Sequence, residues 1–488
     1  MSGTRPRVAV IGSGISGLAC AWSLRDACAV TLFEAGEHFG GHSHTVDVTL
    51  PGPAGPCTYG VDTGFLVFNP RTYPRLVELF DELGVLTSAS DMSFSVQVPD
   101  VGLEWSGSDL DTVFAQRANL WRPAFWGMLR DILRFNRLAT RAAEQGEDAV
   151  LREPVGDFLA RHRFGAAFRD WYFLPMIGCI WSCPTDQMLR FPVGTMIRFC
   201  HNHGLLQLQD RPQWYTVTGG SREYVRKMVA QLPDARLRTP VHRVRRLGAG
   251  AGVALATADG AEHFDEVVFA CHADQALALL EDATSDERRV LGRIRYRPNR
   301  AVLHTDAAVL PRRRKAWAAW NYERAAQEGP GRAGVGRAPR SRAGQDRADS
   351  GGVCLHYLLN RLQPLPFSQP VIVTLNPARE PAPSQVLREF EYAHPVFDQA
   401  AIDAQHEVPA LQGRVHTWYC GAWTGYGFHE DGLRSGLEVA RGVRGSYRLP
   451  GALPLGEPAT SPVRPGDAAH GGAVPANARI PAAREEAA

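Results

Sequence analysis

The feature that most constrains this chain is a glycine-spaced turn close to its start. RVAVIGSGISGLACAWSLR, residues 7 to 25, leads from an apolar β-type run through Gly12, Gly14 and Gly17 into a helical pattern. A second buried-strand pattern, Val30 to Glu34, follows at once, so the segment reads as a βαβ unit with its helix over Gly14 to Arg25. The G-x-G-x-x-G spacing at such a junction has a mechanical reason. Gly12 permits the tight turn, Gly14 lets backbone approach a pyrophosphate, and Gly17 lets helix and strand pack closely, with Ser13, Ile15 and Ser16 completing the loop. The helix start then turns free N–H groups and a positive dipole end toward an anion. Glu34, with Ala35 beside it, ends the second strand where a carboxylate can accept ribose hydroxyls. A dinucleotide, NAD or FAD, is the expected ligand.

The rest of the chain divides around this unit. TYPRLVELFDEL, with Gly84 after it, predicts a helix that ends on a glycine cap. Trp121 to Ala143 predicts a longer helix with Phe125, Leu129, Ile132, Leu133 and Asn136 on one side and several Arg on the other, read as a core-facing cap or as a contact with a membrane surface. Residues 235 to 270 alternate as strands and end in the buried run DEVVFA, and Val371 to Leu375 repeats that pattern. Arg324 to Gly352, rich in Gly, Ala, Arg and Pro, and Gly451 to Ala488 bury too little to order themselves, so a disordered insertion and tail are expected. The 53 basic residues against 51 acidic ones leave a net charge of +2, which gives no global steering toward nucleic acid. Nine cysteines in 488 residues are too sparse for a disulfide framework and predict reduced thiols in the cytoplasm. The glycines interrupt the first apolar run, which argues against a signal peptide, and no apolar run is long enough to predict a spanning helix.

Several further segments carry a family resemblance. Gly40-Gly41-His42 stands where FAD enzymes of the amine oxidase and carotenoid desaturase superfamily have a glycine pair and an arginine. VDTGFLVFNPRTYPRLVELFDELGV resembles the segment that passes the flavin ring, here through Gly64 and Phe65. RTPVHRV resembles the strand whose valine, Val241, contacts adenine, and QWYTVTGGSREYVRKMV the helix before it. YCGAWTGYGFHEDGLRSGLEVA resembles the C-terminal flavin motif, with Gly421 at its strand end and Asp431, Gly432 and Leu433 where a helix begins and aims N–H groups at the flavin. LEWSGSDLDTVFAQRANL, RFCHNHGLLQL and ACHADQALALL are similar to a bacterial branch of NAD/FAD-binding oxidoreductases associated with cyclopropane and furan fatty acid metabolism. The resemblance implies an α/β fold, with a discontinuous Rossmann-like FAD-binding domain over 1–89, 211–298 and 410–450 and a mixed α+β substrate domain over 90–210 and 299–409. It implies FAD as cofactor and hydride transfer from an apolar, lipid-type substrate such as a modified fatty acyl chain to flavin N5, with a fatty-acid methyltransferase-type protein as a partner. Amine oxidation, or a non-redox role as isomerase, hydratase or scaffold, is the alternative.

Departures from the superfamily pattern single out particular residues. Ala422 follows Gly421 where an acidic residue contacts the ribityl chain, and His42 replaces a permanent charge with a titratable one. In an extended segment His42 and His44 share a face. Aligning on Asp431 places His429 where amine oxidases hold an aromatic cage ring. His429 is therefore a candidate acid or base beside the flavin, oriented by Glu430 or Asp431, or else a histidine that only holds a loop. Lys315, amid arginines, reads as a surface lysine. WYFLPMIGCIWSCP, residues 171 to 184, supplies an apolar wall suited to a lipid or serves as plain core. Cys179, Cys183, Cys200, His201 and His203 lack zinc-site spacing and read as packed side chains, so no metal is expected.

Overall fold

A computed structural model describes residues 5–145, 153–181, 185–207, 211–248, 250–324 and 353–449. The expected tail and, beyond Arg324, the expected insertion lie outside the described residues. Arg324 itself is anchored, its backbone N–H on the Gln97 carbonyl at 3.1 Å and its guanidinium on Asp100 at 2.5 Å.

Five short strands form one parallel sheet in the order Thr417–Tyr419, Glu266–Phe269, Arg7–Ile11, Ala29–Phe33, Asp234–Arg236. Buried on both faces, such strands read as continuous apolar runs, which is why RVAVI and EVVF were legible without alternation. The predicted helix of the βαβ unit spans Ile15–Leu24 and every residue in it is buried. Its partner is the C-terminal helix His429–Ser446, reached from Thr417–Tyr419 through a single 3₁₀ turn, Ala422–Thr424. The two helices meet at backbone distance. A Cβ on Gly436 would stand 2.2 Å from the Ser16 carbonyl oxygen, and one on Gly432 2.8 Å from the Ile15 side chain.

The second layer is a seven-stranded sheet in the order Val386–Pro395, Tyr296–His304, Ile372–Leu375, Cys354–Leu358, Trp320–Glu323, Phe94–Val98, Leu103–Ser106. It is antiparallel except where Trp320–Glu323 runs parallel to Phe94–Val98. A three-stranded antiparallel sheet, Arg243–Arg246, Val253–Thr257 and Gly260–Phe264, accounts for the alternation seen after residue 235.

Two helices deserve their own accounting. Pro74–Leu83 ends as predicted on Gly84 at φ +60°, where an L side chain is disfavoured. It has no side-chain cap of its own at its N-terminus. Glu430 supplies one from the C-terminal helix, accepting the N–H groups of Arg75 at 2.9 Å and Leu76 at 3.1 Å, while Lys227 Nζ donates to the Leu83 and Gly84 carbonyls, each at 2.8 Å. Pro123–Gln145 buries Phe125, Met128, Ile132, Phe135 and Ala139. Leu133, assigned by periodicity to the core side, is instead exposed on a stripe with Trp126, Arg130, Arg137 and Arg141, because the buried face centres one residue away from it. Among the described residues no helix is long and apolar enough to cross a membrane.

The Gly436 contact yields a direct expectation. Gly436→Ala has to push two helix backbones apart, so denaturant unfolding should show a loss of about 1–3 kcal/mol, typical of overpacking. An unchanged unfolding midpoint would show that the helices do not rely on this approach.

Candidate functional site

The dinucleotide loop sits at the carboxyl end of Arg7–Ile11. The Gly12 N–H donates to the Phe33 carbonyl at 2.8 Å with φ at +102°, and a Cβ there would lie 2.9 Å from the Ala270 carbonyl oxygen. A Cβ on Gly17 would fall 1.9 Å from the Gly12 carbonyl oxygen. The protein's own packing therefore demands both glycines. Gly14 is different: its φ is −59°, which any residue adopts, and a Cβ would meet nothing within 4 Å. It borders an open groove in front of a helix start that no side chain caps. A diphosphate fits such a cradle, taking the helix N–H groups as donors.

Glu34 closes one side of the loop. One carboxylate oxygen accepts the Ser13 N–H at 3.0 Å and hydroxyl at 2.5 Å, and the other accepts the Gly36 N–H at 2.7 Å, with Ala35 exposed between them. Val241 is buried in the same core cluster as Ile11 and Phe33. On the opposite side the Gly40 N–H reaches the Ser13 carbonyl and hydroxyl, both at 3.1 Å, and a Cβ on Gly41 would touch the Gly14 Cα at 3.1 Å.

His42 follows in a nest of rings, with Tyr392 at 5.2 Å, His394 at 5.4 Å and His272 at 6.5 Å between centroids. Its Nε2 is buried and without a protein partner. Burial, aided by the nearby imidazoles of His394, His272 and His429, pushes its pKa down to about 3. An orphaned buried nitrogen next to the glycine cradle is what a cofactor oxygen would satisfy. His44 meets the same tyrosine, with Nδ1 3.0 Å from the Tyr392 hydroxyl, and stacks on His38 at 4.1 Å.

The flavin-passing segment and the C-terminal motif come together at His429. The Phe65 N–H donates to the His42 carbonyl at 2.7 Å, Gly64 packs so tightly that a Cβ would lie 2.2 Å from that same oxygen, and the Phe65 ring stacks on His429 at 3.7 Å. His429 Nε2 lies 2.8 Å from the Ser43 hydroxyl and 2.9 Å from the Tyr224 hydroxyl. Burial pushes its pKa down to about 3, so the ring is neutral at physiological pH.

Two sequence expectations change here. The helix begins at His429, not at Asp431, because the Asp431 carboxylate accepts the N–H groups of Tyr426 at 3.0 Å and Phe428 at 3.1 Å and so stabilises the turn ahead of itself. Neither Glu430 nor Asp431 orients the imidazole. Glu430 is turned to Arg75 and Leu76, and Ser43 and Tyr224 hold the ring instead. Gly432 and the fully buried Leu433 serve the helix contact, and the Gly421 N–H donates to Ser435 Oγ at 3.0 Å. Sequence reasoning missed Ser43, Tyr224, His272, Tyr392 and His394, which lie outside the motifs or within them at positions of no fixed chemistry.

The apolar wall adjoins this point. Phe173, Leu174, Met176, Ile177 and Trp181 are buried, Trp181 packs on Phe199 at 4.9 Å, and Phe199 stacks on Phe428 at 4.8 Å, next to His429. Cys179 and Cys200 are buried thiols that burial pushes up, Cys200 to about 12, and Cys183 lies outside the described residues. His203 stacks on Phe199 at 3.9 Å, and His201 is only partly buried. Lys315 is exposed and pairs with Asp111 at 2.7 Å, away from these groups.

Two expectations follow. A Cβ at Gly14 meets no protein atom within 4 Å and the backbone there is ordinary, so Gly14→Val should fold yet purify without flavin, whereas Gly17→Val should fail to fold. Full flavin absorbance in Gly14→Val would remove the cradle from this loop. For pH, the ordinary histidine value of 6.5 falls to about 3 at His429, so the stability gained from its neutral form is complete above pH 6.5 and lost as pH drops toward 3. Thermal midpoints recorded across that window should fall less steeply in His429→Gln than in the parent protein.

Residues 15–358 match the family of flavin containing amine oxidoreductases. No curated relative matches the chain. Among solved structures it is similar to the CLA-producing fatty acid isomerase from P. acnes, at 16% identity and a TM-score of 0.60 over 90% of this chain and 99% of that one. It is also similar to cyclohexylamine oxidase from Brevibacterium oxydans IH-35A, at 16% identity and a TM-score of 0.61 over 91% and 100%. Putrescine oxidase bound to putrescine gives 15% identity and a TM-score of 0.59 over 90% and 99%. With a family match over more than half its length, a glycine cradle that accepts a diphosphate and a second helix start directed at the same place, the chain belongs to the flavin containing amine oxidoreductases and is an FAD-dependent oxidoreductase.

Proposed function

We propose that the protein is a dehydrogenase or desaturase that oxidises an apolar acyl substrate. The observation that carries this reading is what stands beside the flavin motif. At the place of an aromatic cage ring the chain has His429, locked by Ser43 and Tyr224 and stacked on Phe65, and the adjoining wall of Phe199, Phe428 and Trp181 is apolar. An ammonium substrate needs aromatic faces or carboxylates set on both sides of its charge, and at the cage position the His429 face is covered by Phe65 and its Nε2 is taken by Ser43 and Tyr224. An alkyl chain needs only apolar surface and exclusion of water. The fatty acid isomerase among the structural neighbours lends support to an acyl substrate, and it favours a second reading in which this chain also isomerises without net electron turnover.

When bound, FAD supplies the hydride acceptor. The protein's share is placement and proton handling. The wall aligns the chain and keeps water out, which raises the effective concentration of the reacting bond. His429, neutral and held through Nε2, takes the proton released in oxidation, and its low basicity means the proton is passed on through Ser43 or Tyr224 and not stored.

Anaerobic mixing with acyl lipids should bleach the flavin, and mixing with primary amines should leave it oxidised; bleaching by amines alone would overturn the proposal. Bleaching that reverses without an added oxidant while the lipid's double bond moves would favour the isomerase reading. In His429→Gln the flavin should remain bound and its reduction should slow by about 10²- to 10⁴-fold, as for loss of an acid–base group. An unchanged rate and pH profile would make His429 a structural residue.

A further inference from the structure

A second cluster of chemically capable side chains lies within the seven-stranded sheet. Glu323 and Cys354 are directly opposite each other on adjacent strands, and His356, two residues after Cys354, shares its face. His356 Nε2 is 2.9 Å from Glu323 Oε2 and 3.6 Å from Cys354 Sγ, and the three donor atoms all lie within 4.8 Å of one another. His356 is fully buried, Cys354 is 1% exposed, and the Glu323 side chain is 16% exposed.

The surroundings orient these atoms. His356 Nδ1 is 2.9 Å from Thr374 Oγ1, which is 2.7 Å from His304 Nε2. His304 Nδ1 accepts the Asp306 N–H at 3.1 Å, so its proton resides on Nε2 and points at Thr374. The Ala378 N–H donates to Cys354 Sγ at 3.3 Å and fixes the direction of the thiol group.

Two chemistries suit a cysteine, a histidine and a carboxylate in contact. In a nucleophilic triad the acid holds the imidazole nitrogen that faces away from the thiol. Here thiol and carboxylate crowd the same nitrogen, which carries at most one proton and cannot satisfy both. Three donor atoms within 4.8 Å of one another can instead share a cation, which would displace the proton now held between His356 and Glu323. Tetrahedral zinc, with Zn–N of about 2.0–2.1 Å and Zn–S of about 2.3 Å, sets N and S about 3.6 Å apart. The observed edge between Nε2 and Sγ has that length. The carboxylate has to withdraw from the nitrogen by about 0.4 Å and turn toward the thiol, whose donor atom lies within 4.8 Å of it, to complete the arrangement. Thiolate and imidazole exclude calcium and magnesium, which take oxygen ligands. One thiolate and one carboxylate also neutralise a divalent charge in a buried place.

We propose that Glu323, Cys354 and His356 bind one zinc ion, with water on the exposed side of Glu323 as the fourth ligand. The ion joins two strands whose ligands are 31 positions apart in sequence (354 − 323), so it offsets the entropy of closing that long connection. Sequence reasoning passed it over because a lone Cys354-x-His356 pair is not a zinc signature, and Glu323 joins it only through strand pairing.

The test uses the untagged, flavin-loaded protein. Elemental analysis should find about one zinc per chain, as expected of a site that couples to folding. Exchange into cobalt should give tetrahedral d–d bands to the red of the flavin absorption, with a thiolate charge-transfer band. Cys354→Ser and His356→Gln should each lose metal and bands while keeping flavin, and chelator should lower the thermal midpoint of the parent protein but not that of Cys354→Ser. Absence of zinc and of cobalt bands from the parent protein, or equal metal in the variants, would overturn the proposal. Should a variant not fold, the parent's cobalt spectrum decides alone, since a site without a thiolate band is not this one.

Discussion

The approach of Gly436 to the Ser16 carbonyl oxygen, too close for any side chain between them, is the constraint from which the rest of the molecule follows. It brings the starts of two helices, one from the first strand and one from the last, to the same edge of the parallel sheet. Each start is a cluster of N–H donors and half of a positive charge, and two such ends together make a place where an anionic, electron-accepting ring system is stable. Strands from three distant parts of the chain must assemble before that contact can form. The helices Leu174–Trp181 and Val193–Asn202, which carry the apolar wall, then face a defined point.

How much of this can be read from the amino acids alone depends on whether the determinant is local. Arg7–Ile11 and Glu266–Phe269 are visible because a doubly buried parallel strand must be apolar throughout, and Gly12 and Gly17 because their turn geometry admits no side chain. Their role in packing is separate from that of Gly14, the division that the spacing itself predicts. The helix start was misplaced by two residues because Asp431 caps a turn that precedes it, and Leu133 because one residue of rotation on a helix moves a side chain by about 100°. Ser43 and Tyr224 could not be connected to His429 by any local pattern, since they are 386 and 205 positions from it.

Histidines at the centre of the molecule work by being uncharged. His42, His429 and His394 are each driven by burial well below the ordinary imidazole range, with His394 adding to the effect at His42 and His272 adding to it at His394. His42 keeps a buried ring nitrogen without a protein partner beside the glycine loop. The electrostatic pull on the cofactor then comes from the helix ends, with less screening by salt than an exposed cation would suffer.

Helix Pro74–Leu83 borrows both of its ends. A carboxylate from residue 430 closes its N-terminus and an ammonium from residue 227 closes its C-terminus, each with the charge that opposes the local end of the dipole. A ten-residue helix is marginal in isolation, so this one has no independent reason to persist until the later parts of the chain have arrived. Its N-terminal partner is supplied only by residue 430, 355 positions beyond Arg75 along the chain and 354 beyond Leu76. In the finished protein it behaves as a splint between the first turn of the C-terminal helix and the helix that carries Lys227, so that a tilt of one is felt by the other through ten rigid residues.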